Sequence, residues 1–157
     1  MSGGSLAIDG YNLLITVESA LGRGVILLGR DGCCRDLASL HGTYRRVQET
    51  APALTRIGQY LASQGIRRAA WHFDRPVSNS GRLRELVLTT AAAHGWEWTA
   101  SLDQNPDQAL AAAGVPVAST DSWVLDHADR WVNLARRLIE SCIPEARVID
   151  LSLPSQY

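Results

Sequence analysis

Four aspartates stand where predicted strands end or where a predicted helix begins. Asp9 follows the first apolar run, Asp74 the second and Asp121 the fourth, while Asp107 opens the helix after the third strand. Aspartate is common at such places because its carboxylate forms turns and caps helices, which explains any one of the four. Parallel strands, however, bring their carboxyl ends to one edge of a sheet, so the set predicts a shared acidic site.

The mutual repulsion of these carboxylates indicates what such a site would bind. Two carboxylates about 5 Å apart repel by roughly 3 kcal/mol at an effective dielectric near 20, and a cation would relieve that repulsion. Ligands that are all oxygen suit Mg²⁺ or Mn²⁺ rather than zinc. A hard divalent ion activates water and stabilises charge on a phosphoryl oxygen, so the acids predict hydrolysis of phosphodiester bonds.

The elements that would position these acids alternate between strand and helix. Short apolar strands without polar alternation are typical of a sheet that is buried on both faces. We therefore predict an α/β fold, a three-layer α/β/α arrangement with a central, mostly parallel sheet of about five strands, and a small hairpin after the first helix. The predicted strands cover residues 5–8, 68–73, 96–101, 115–119 and 131–134, the hairpin residues 25–28 and 33–37, and a last extended piece residues 147–151. The predicted helices cover residues 11–21, 52–64, 81–93, 107–113, 122–128 and 135–142, with a further helical piece before Pro52 from about residue 41.

Length and composition fit one domain that spans residues 1–157. No run of 18 apolar residues exists, so we expect no membrane span. The opening lacks the basic region and long apolar core of a signal peptide, and three cysteines make no disulfide framework, so we expect a cytoplasmic protein. The net charge of −1 gives no bulk attraction to nucleic acid, although all 15 basic residues are arginine, whose guanidinium matches phosphate oxygens.

Three motifs resemble those of one nuclease family. The segment IDGYN (residues 8–12) resembles the opening of NYN-type nucleases, a branch of the PIN-like superfamily, and NPDQAL (residues 105–110) resembles the segment in which an acid opens a middle helix. The segment STDSW (residues 119–123) resembles the later acidic motif: Asp121 matches, and Trp123 replaces the usual second aspartate. The stretches IDGYNLLITVESAL and FDRPVSNSGRL also resemble a group of prokaryotic PIN-like proteins.

The resemblance implies a ribonuclease that depends on Mg²⁺ or Mn²⁺ and has RNA as its substrate. It implies that Asp9, Asp107 and Asp121 are the catalytic residues and the metal ligands, with support from Asn12, Asp74 and Asp126. PIN-like proteins often dimerise, so a homodimer and a regulatory protein partner are compatible with this hypothesis. Because Trp123 takes the place of an acid, the alternative is a non-catalytic RNA-binding or protein-interaction module with a degenerate site.

Several other side chains have both a functional and a structural interpretation. Trp98 and Trp123 are candidates for base stacking, although core packing explains them as well, and Trp131 is expected in the core. Glu18 is expected to face solvent. Contacts to RNA phosphates are expected from three arginines near the hairpin and from two serines before a helix, where solvated arginines and simple capping are the competing explanations; these residues are Arg35, Arg45, Arg46, Ser78 and Ser80.

One rival chemistry is disfavoured by the residues themselves. Phosphohydrolases with an aspartyl nucleophile need a second aspartate two residues after the first, where this chain has Tyr11. They also use a lysine as charge partner, and the chain contains none. The acidic set therefore favours metal-dependent chemistry over a covalent aspartyl intermediate.

Overall fold

A computed structural model describes residues 4–37, 50–75 and 80–151. A five-stranded sheet lies at its centre in the order β5-β4-β1-β6-β7, and every neighbouring pair in it is parallel. The strands are β1 (Ser5–Asp9), β2 (Val25–Leu28), β3 (Cys34–Asp36), β4 (Arg68–Asp74), β5 (Glu97–Asp103), β6 (Val117–Ala118), β7 (Trp131–Val132) and β8 (Arg147–Asp150). The helices are α1 (Gly10–Leu21), α2 (Thr50–Ser63), α3 (Ser80–His94), α4 (Pro106–Ala111), α5 (Ser122–His127) and α6 (Leu134–Cys142).

Helices cover both faces of this sheet. On one face α1, α2, α3 and α6 pack together over a core that includes Leu6, Ile8 and Trp71. On the other face α4 and α5 pack together, and Leu110 and Val124 meet a smaller apolar cluster. The predicted three-layer α/β/α fold with a central, mostly parallel sheet of about five strands is confirmed.

The order of the strands reverses beside β1. The chain adds β4 and then β5 on one side of β1, and returns to add β6 and then β7 on the other side. In sheets of this kind the crossovers lie on opposite faces either side of the reversal, which leaves a crevice at the carboxyl ends of the two strands. The crevice therefore opens after Asp9 at the end of β1 and after Ala118 at the end of β6.

A second sheet lies beside the first helix. The predicted hairpin forms, since β2 and β3 pair antiparallel. The last extended piece, β8, pairs with the other edge of β2 in parallel, and the Leu151 backbone N–H donates to the Leu28 carbonyl at 2.8 Å. The last strand in the described part of the chain thus completes a sheet begun near residue 25.

In the central sheet β6 and β7 are shorter than predicted, and α2 begins two residues earlier than predicted. Strand β6 covers two residues because the Ser119 carbonyl accepts a hydrogen bond from the Trp131 indole N–H at 2.7 Å instead of continuing the ladder. Helix α2 begins two residues before Pro52, in a first turn where proline is tolerated because its missing N–H needs no partner. The piece predicted before Pro52 falls mainly on residues 41–49, which lie outside the described residues.

Gly10 allows β1 to pass directly into α1, and we expect its substitution to destabilise the fold. A Cβ at this position would lie 2.5 Å from Cε1 of Phe73 and 2.9 Å from the His72 carbonyl oxygen. Since backbone cannot yield easily, Gly10→Ala should lower the free energy of unfolding by about 1–3 kcal/mol, measured in urea. Gly81→Ala is the matched control, because its Cβ would meet nothing within 4 Å. Equal stability of the two variants would contradict the prediction.

Candidate functional site

Asp9 ends β1 at the reversal point and is the most perturbed acid of the crevice. It occupies the N-cap position of α1 without a side-chain capping hydrogen bond. Instead its Oδ2 accepts a hydrogen bond from the Ser119 hydroxyl at 2.8 Å. Burial raises the pKa of Asp9 to about 6; the Ser119 bond opposes this rise, and the carboxylates of Asp107 and Asp121 add to it. The Asn12 backbone N–H in the first turn of α1 opposes the rise more weakly than Ser119, so capping is a minor part of this residue's surroundings.

The other two predicted ligands lie at the starts of helices on the far side of the crevice. The Oδ1 atom of Asp121 accepts from the Val124 backbone N–H at 3.2 Å and so caps α5. Asp107 lies in the first turn of α4. Burial raises the pKa of Asp107, and the nearby carboxylates of Asp121 and Asp74 raise it further. The four aspartates predicted at one edge therefore interact electrostatically.

A network of hydrogen bonds fixes the segment between β6 and α5 against α1. The Asn12 Nδ2 donates to the Thr120 hydroxyl at 2.8 Å, and the Thr120 backbone N–H donates to Asn12 Oδ1 at 3.0 Å. The Asp121 backbone N–H donates to the Ser119 hydroxyl at 3.0 Å, and that hydroxyl also binds Asp9. Asn12 thus holds Thr120 next to the acids, and its support of a metal site stays a prediction.

Two long-range donors hold the carbonyls of the same segment. The Arg35 Nη2 on β3 donates to the Thr120 carbonyl at 2.7 Å, and the Trp131 indole N–H donates to the Ser119 carbonyl at 2.7 Å. Arg35 is also bound through two nitrogens to Asp31, at 2.7 and 3.2 Å. Beside them a cavity of about 350 Å³ is lined by Asn12, Arg35, Asp121 and their neighbours. Arg35, predicted to contact RNA phosphate, serves here to hold Thr120.

The oxygen ligands of these acids suit a hard divalent cation, but their side chains do not form a complete coordination sphere. The donors of Asp9, Asp107 and Asp121 are all oxygens, and Asp9 and Asp107 have raised pKa values because burial and neighbouring carboxylates disfavour their charged forms. Within residues 4–37, 50–75 and 80–151, no group of three or more His, Cys, Asp and Glu side chains is arranged to hold a metal ion. The crevice gathers these ligands without bringing them to coordination distance of one point.

The remaining predicted residues divide into those near the crevice and those elsewhere. Asp74, at the end of β4, acts on Asp107, and it raises the pKa of Tyr11 after the larger effect of burial. Asp126 lies exposed on α5. Ser80 is buried, and its hydroxyl donates to the Arg75 carbonyl at 3.3 Å. The expected phosphate contacts of Arg45, Arg46 and Ser78 fall outside the described residues.

Three expectations about single side chains are resolved by burial. Glu18 was expected to face solvent, which is wrong: it is buried and accepts a hydrogen bond from the Thr50 hydroxyl at 3.0 Å. Trp98 is in the core against Trp71, so its packing interpretation is confirmed. Trp131 was expected in the core, which is also wrong, because 38% of it is exposed beside the Ser119 carbonyl that it binds.

A polar cluster beside Asp9 was missed by sequence reasoning. His72 Nδ1 lies 2.8 Å from Asp103 Oδ2, and the Ser101 hydroxyl donates to the same oxygen at 2.9 Å. The predicted third strand ended at Ser101, which left Asp103 outside it. The available signal was the spacing of Ser101 and Asp103. Residues two apart on a strand share a face, so a longer third strand would have placed both polar side chains together.

We expect the bond between Asn12 and Thr120 to show as a coupling energy. Asn12→Ala should lower the free energy of unfolding by about 1–3 kcal/mol, because it leaves the part-buried Thr120 N–H without its acceptor. Thr120→Val removes the hydroxyl that also binds Asn12. In a double-mutant cycle measured by urea unfolding, the two changes should couple by about 1 kcal/mol. Strictly additive effects would contradict the interaction.

Comparison with known proteins places the chain in a family. Residues 1–137 match the family described as Domain of unknown function (DUF5616). The chain belongs to the DUF5616 family. The part that matches DUF5616 contains all four aspartates of the crevice and the segment 119–121. It ends within α6, before β8.

One relative of this DUF5616 chain is an uncharacterized protein of Methanocaldococcus jannaschii. The two are 28% identical over 123 residues, which make up 78% of this chain and 58% of the relative. The DUF5616 chain therefore spans little more than half of that protein's length.

Proposed function

We propose that this protein is a ribonuclease that hydrolyses RNA phosphodiester bonds with a Mg²⁺ or Mn²⁺ ion. The observation that carries the proposal is Asp9, a half-buried carboxyl at the reversal point that accepts the Ser119 hydroxyl at 2.8 Å; desolvation raises its pKa to about 6, and Asp107 and Asp121 add to this effect. Electrostatic strain among carboxylates at a crevice is typical of functional sites and is relieved by a cation. The resemblance of IDGYN, NPDQAL and STDSW to NYN-type PIN-like nucleases agrees with this assignment.

In this proposal Asp9, Asp107 and Asp121 would hold the ion. The ion would lower the pKa of a bound water and stabilise charge on the phosphoryl oxygen. The chain's own contribution is positioning. Ser119 orients the Asp9 carboxylate, and Asn12 keeps the Ser119–Asp121 segment close to α1. Asp74 adds negative charge next to Asp107, which strengthens the attraction for a cation.

The test is cleavage of a mixed RNA pool by the purified protein. We expect cleavage with Mn²⁺ or Mg²⁺ and none with EDTA. Asp129→Asn is a matched control for substitutions in the crevice, because Asp129 is an exposed aspartate outside it. Absence of cleavage with either ion, for several RNA preparations, would overturn the proposal.

Two observations favour a second candidate, an RNA-binding or protein-interaction module without catalysis. No described group of acids is arranged to hold a metal, and Trp123, which replaces an acid of the family motif, is 40% exposed with its ring stacked 4.0 Å from that of His127. An exposed indole can stack on an unpaired base. RNA retention in a gel-shift assay that EDTA does not change, together with no cleavage, would decide for this candidate.

The proposal extends to location and partners. Among residues 4–37, 50–75 and 80–151, no helix is long and apolar enough to cross a membrane. Cys33, Cys34 and Cys142 are free thiols, which agrees with a cytoplasmic protein that meets RNA in a reducing compartment.

A homodimer would be detected by light scattering of the purified protein. A regulatory protein partner would be detected by co-purification from cells.

A further inference from the structure

An open groove of about 660 Å³ runs over the face of the central sheet that carries α4. Its floor includes Ala7, Ala70 and Thr99, and one wall is Ala109 of α4 with Val115 after it. Small side chains on both sides give the groove its depth. Its volume is within the range of sites that enclose a small organic molecule, about 300–1,000 Å³.

His72 forms a polar end of this groove. Its Nδ1 is held by Asp103 at 2.8 Å, with the Ser101 hydroxyl 3.3 Å away, and the side chain is 17% exposed. A carboxylate at Nδ1 favours the tautomer with the proton on that nitrogen, which leaves Nε2 as an acceptor. Among the described residues, Nε2 has no hydrogen-bond partner. An imidazole held in this way is suited to bind a polar group of a molecule in the groove.

The polar end of the groove is next to the acidic crevice. Asp9 on β1 and His72 on β4 are register partners in a parallel pair. Neighbouring strands lie about 4.7–4.9 Å apart, and the side chains of register partners share a face. His72, at the end of the groove, therefore lies one strand away from the carboxylate proposed to bind the metal, on the same side of the sheet.

We propose that this groove is a nucleoside subsite, which takes the base and ribose next to the phosphate held at the crevice. The inference rests on the proposed function, because it assigns the groove to the same RNA strand. A nucleoside fits this lining: its flat, uncharged base suits the small side chains of Ala7, Ala70 and Ala109, and it carries N–H or O–H donors for His72 Nε2. At the opposite end the groove is lined by Arg68 and Glu97, whose charges are paired with each other at 3.0 Å. The acids beyond His72 would repel an anionic group unless a cation is present, so the phosphate belongs at the crevice and the neutral nucleoside in the groove.

The first test fills the groove and follows binding of adenosine 5′-monophosphate by NMR in the presence of Ca²⁺. In the wild-type protein the amide signals of Ala70, His72 and Thr99 should shift on titration. Thr99→Phe places a ring in the groove from an exposed strand position that tolerates aromatics, and it should weaken binding by about tenfold. Thr89→Phe, at an exposed threonine on α3, should bind like the wild type.

The second test separates the hydrogen bond from the shape of the side chain. His72→Phe keeps a ring but removes Nε2, and it should weaken binding of the same nucleotide by about fivefold. His72→Gln offers an amide oxygen near the place of Nε2 and should stay within about twofold of the wild type. Equal losses in the two variants would indicate a purely structural role for His72.

The outcomes distinguish this inference from the proposed function. Metal-dependent cleavage by the wild type together with unchanged nucleotide binding in Thr99→Phe would overturn the subsite and leave the nuclease standing. Nucleotide shifts at groove amides without any cleavage would overturn the nuclease and support a nucleotide-binding groove. Shifts confined to residues outside the groove, or no shifts at all, would overturn the subsite.

Discussion

Asp9→Asn should abolish metal-dependent cleavage of RNA while the protein stays folded. Asparagine has the same shape and can still accept the Ser119 hydroxyl bond of 2.8 Å, but it cannot supply the charge that holds a cation. We expect the rate of cleavage to fall by about 10³-fold, roughly 4 kcal/mol of transition-state stabilisation. The measurement is the initial rate on a labelled RNA at saturating Mn²⁺.

The control for this variant is Asp129→Asn, which removes the same charge from an exposed position and should cleave at the wild-type rate. Thermal unfolding of both variants shows that any loss of cleavage is not a loss of fold. If Asp9→Asn cleaved RNA within a factor of about two of the wild type, Asp9 would not be a metal ligand. The proposal of a metal site at the reversal point would then fail.

The same substitution should make the protein more stable above about pH 6. Asp9 has its pKa raised from 3.8 to about 6 in the fold, so the folded state binds a proton more tightly than the unfolded state does. Stability is therefore lost as the pH rises through this window, because the buried carboxylate must ionise. The difference between 3.8 and about 6 corresponds to about 3 kcal/mol at neutral pH, which Asp9→Asn should recover.

The check is urea unfolding of the wild type and Asp9→Asn between about pH 4 and pH 8. The two free energies should be closest at the acid end of this range, near the ordinary pKa of 3.8, and separate as the pH rises toward 6. Comparing the variants cancels the other titrating groups, such as Asp31, whose pKa is lowered first by its hydrogen bond from Arg35. Mn²⁺ should raise the wild-type melting temperature at neutral pH and leave that of Asp9→Asn unchanged. Parallel curves would contradict the raised pKa.

The acids of the crevice could be predicted because their positions follow from local patterns. Apolar runs ending in Asp9 and Asp74 indicate strands, and parallel strands share an edge, so the gathering of these carboxylates needed no knowledge of distant contacts. It could not be predicted that Asp121 would cap a helix while Asp9 would be held mainly by the Ser119 hydroxyl. That distinction depends on which side chains from other elements cover each residue.

The supporting contacts were missed because they join residues that are far apart in the chain. Arg35 donates to the carbonyl of Thr120, which is 85 residues away in the sequence. Trp131 was predicted in the core, but it is partly exposed and donates to the Ser119 carbonyl. The sequence of α1 alone suggests a solvent-facing Glu18. In the fold Glu18 is buried, and the Thr50 hydroxyl of α2 donates to its carboxylate. Periodicity gives the face of an element, but it does not say which partner that face meets.

The position of β8 has a consequence for the order in which the molecule is completed during synthesis. Arg35 lies on a hairpin whose free edge is filled by residues 147–150, which emerge from the ribosome after every acid of the crevice. A growing chain that stops short of residue 147 already carries Asp9, Asp107 and Asp121, yet lacks the strand that braces the hairpin behind Arg35. The sheet that carries Arg35, the donor to the Thr120 carbonyl, is thus completed only after the residues of the crevice have been translated.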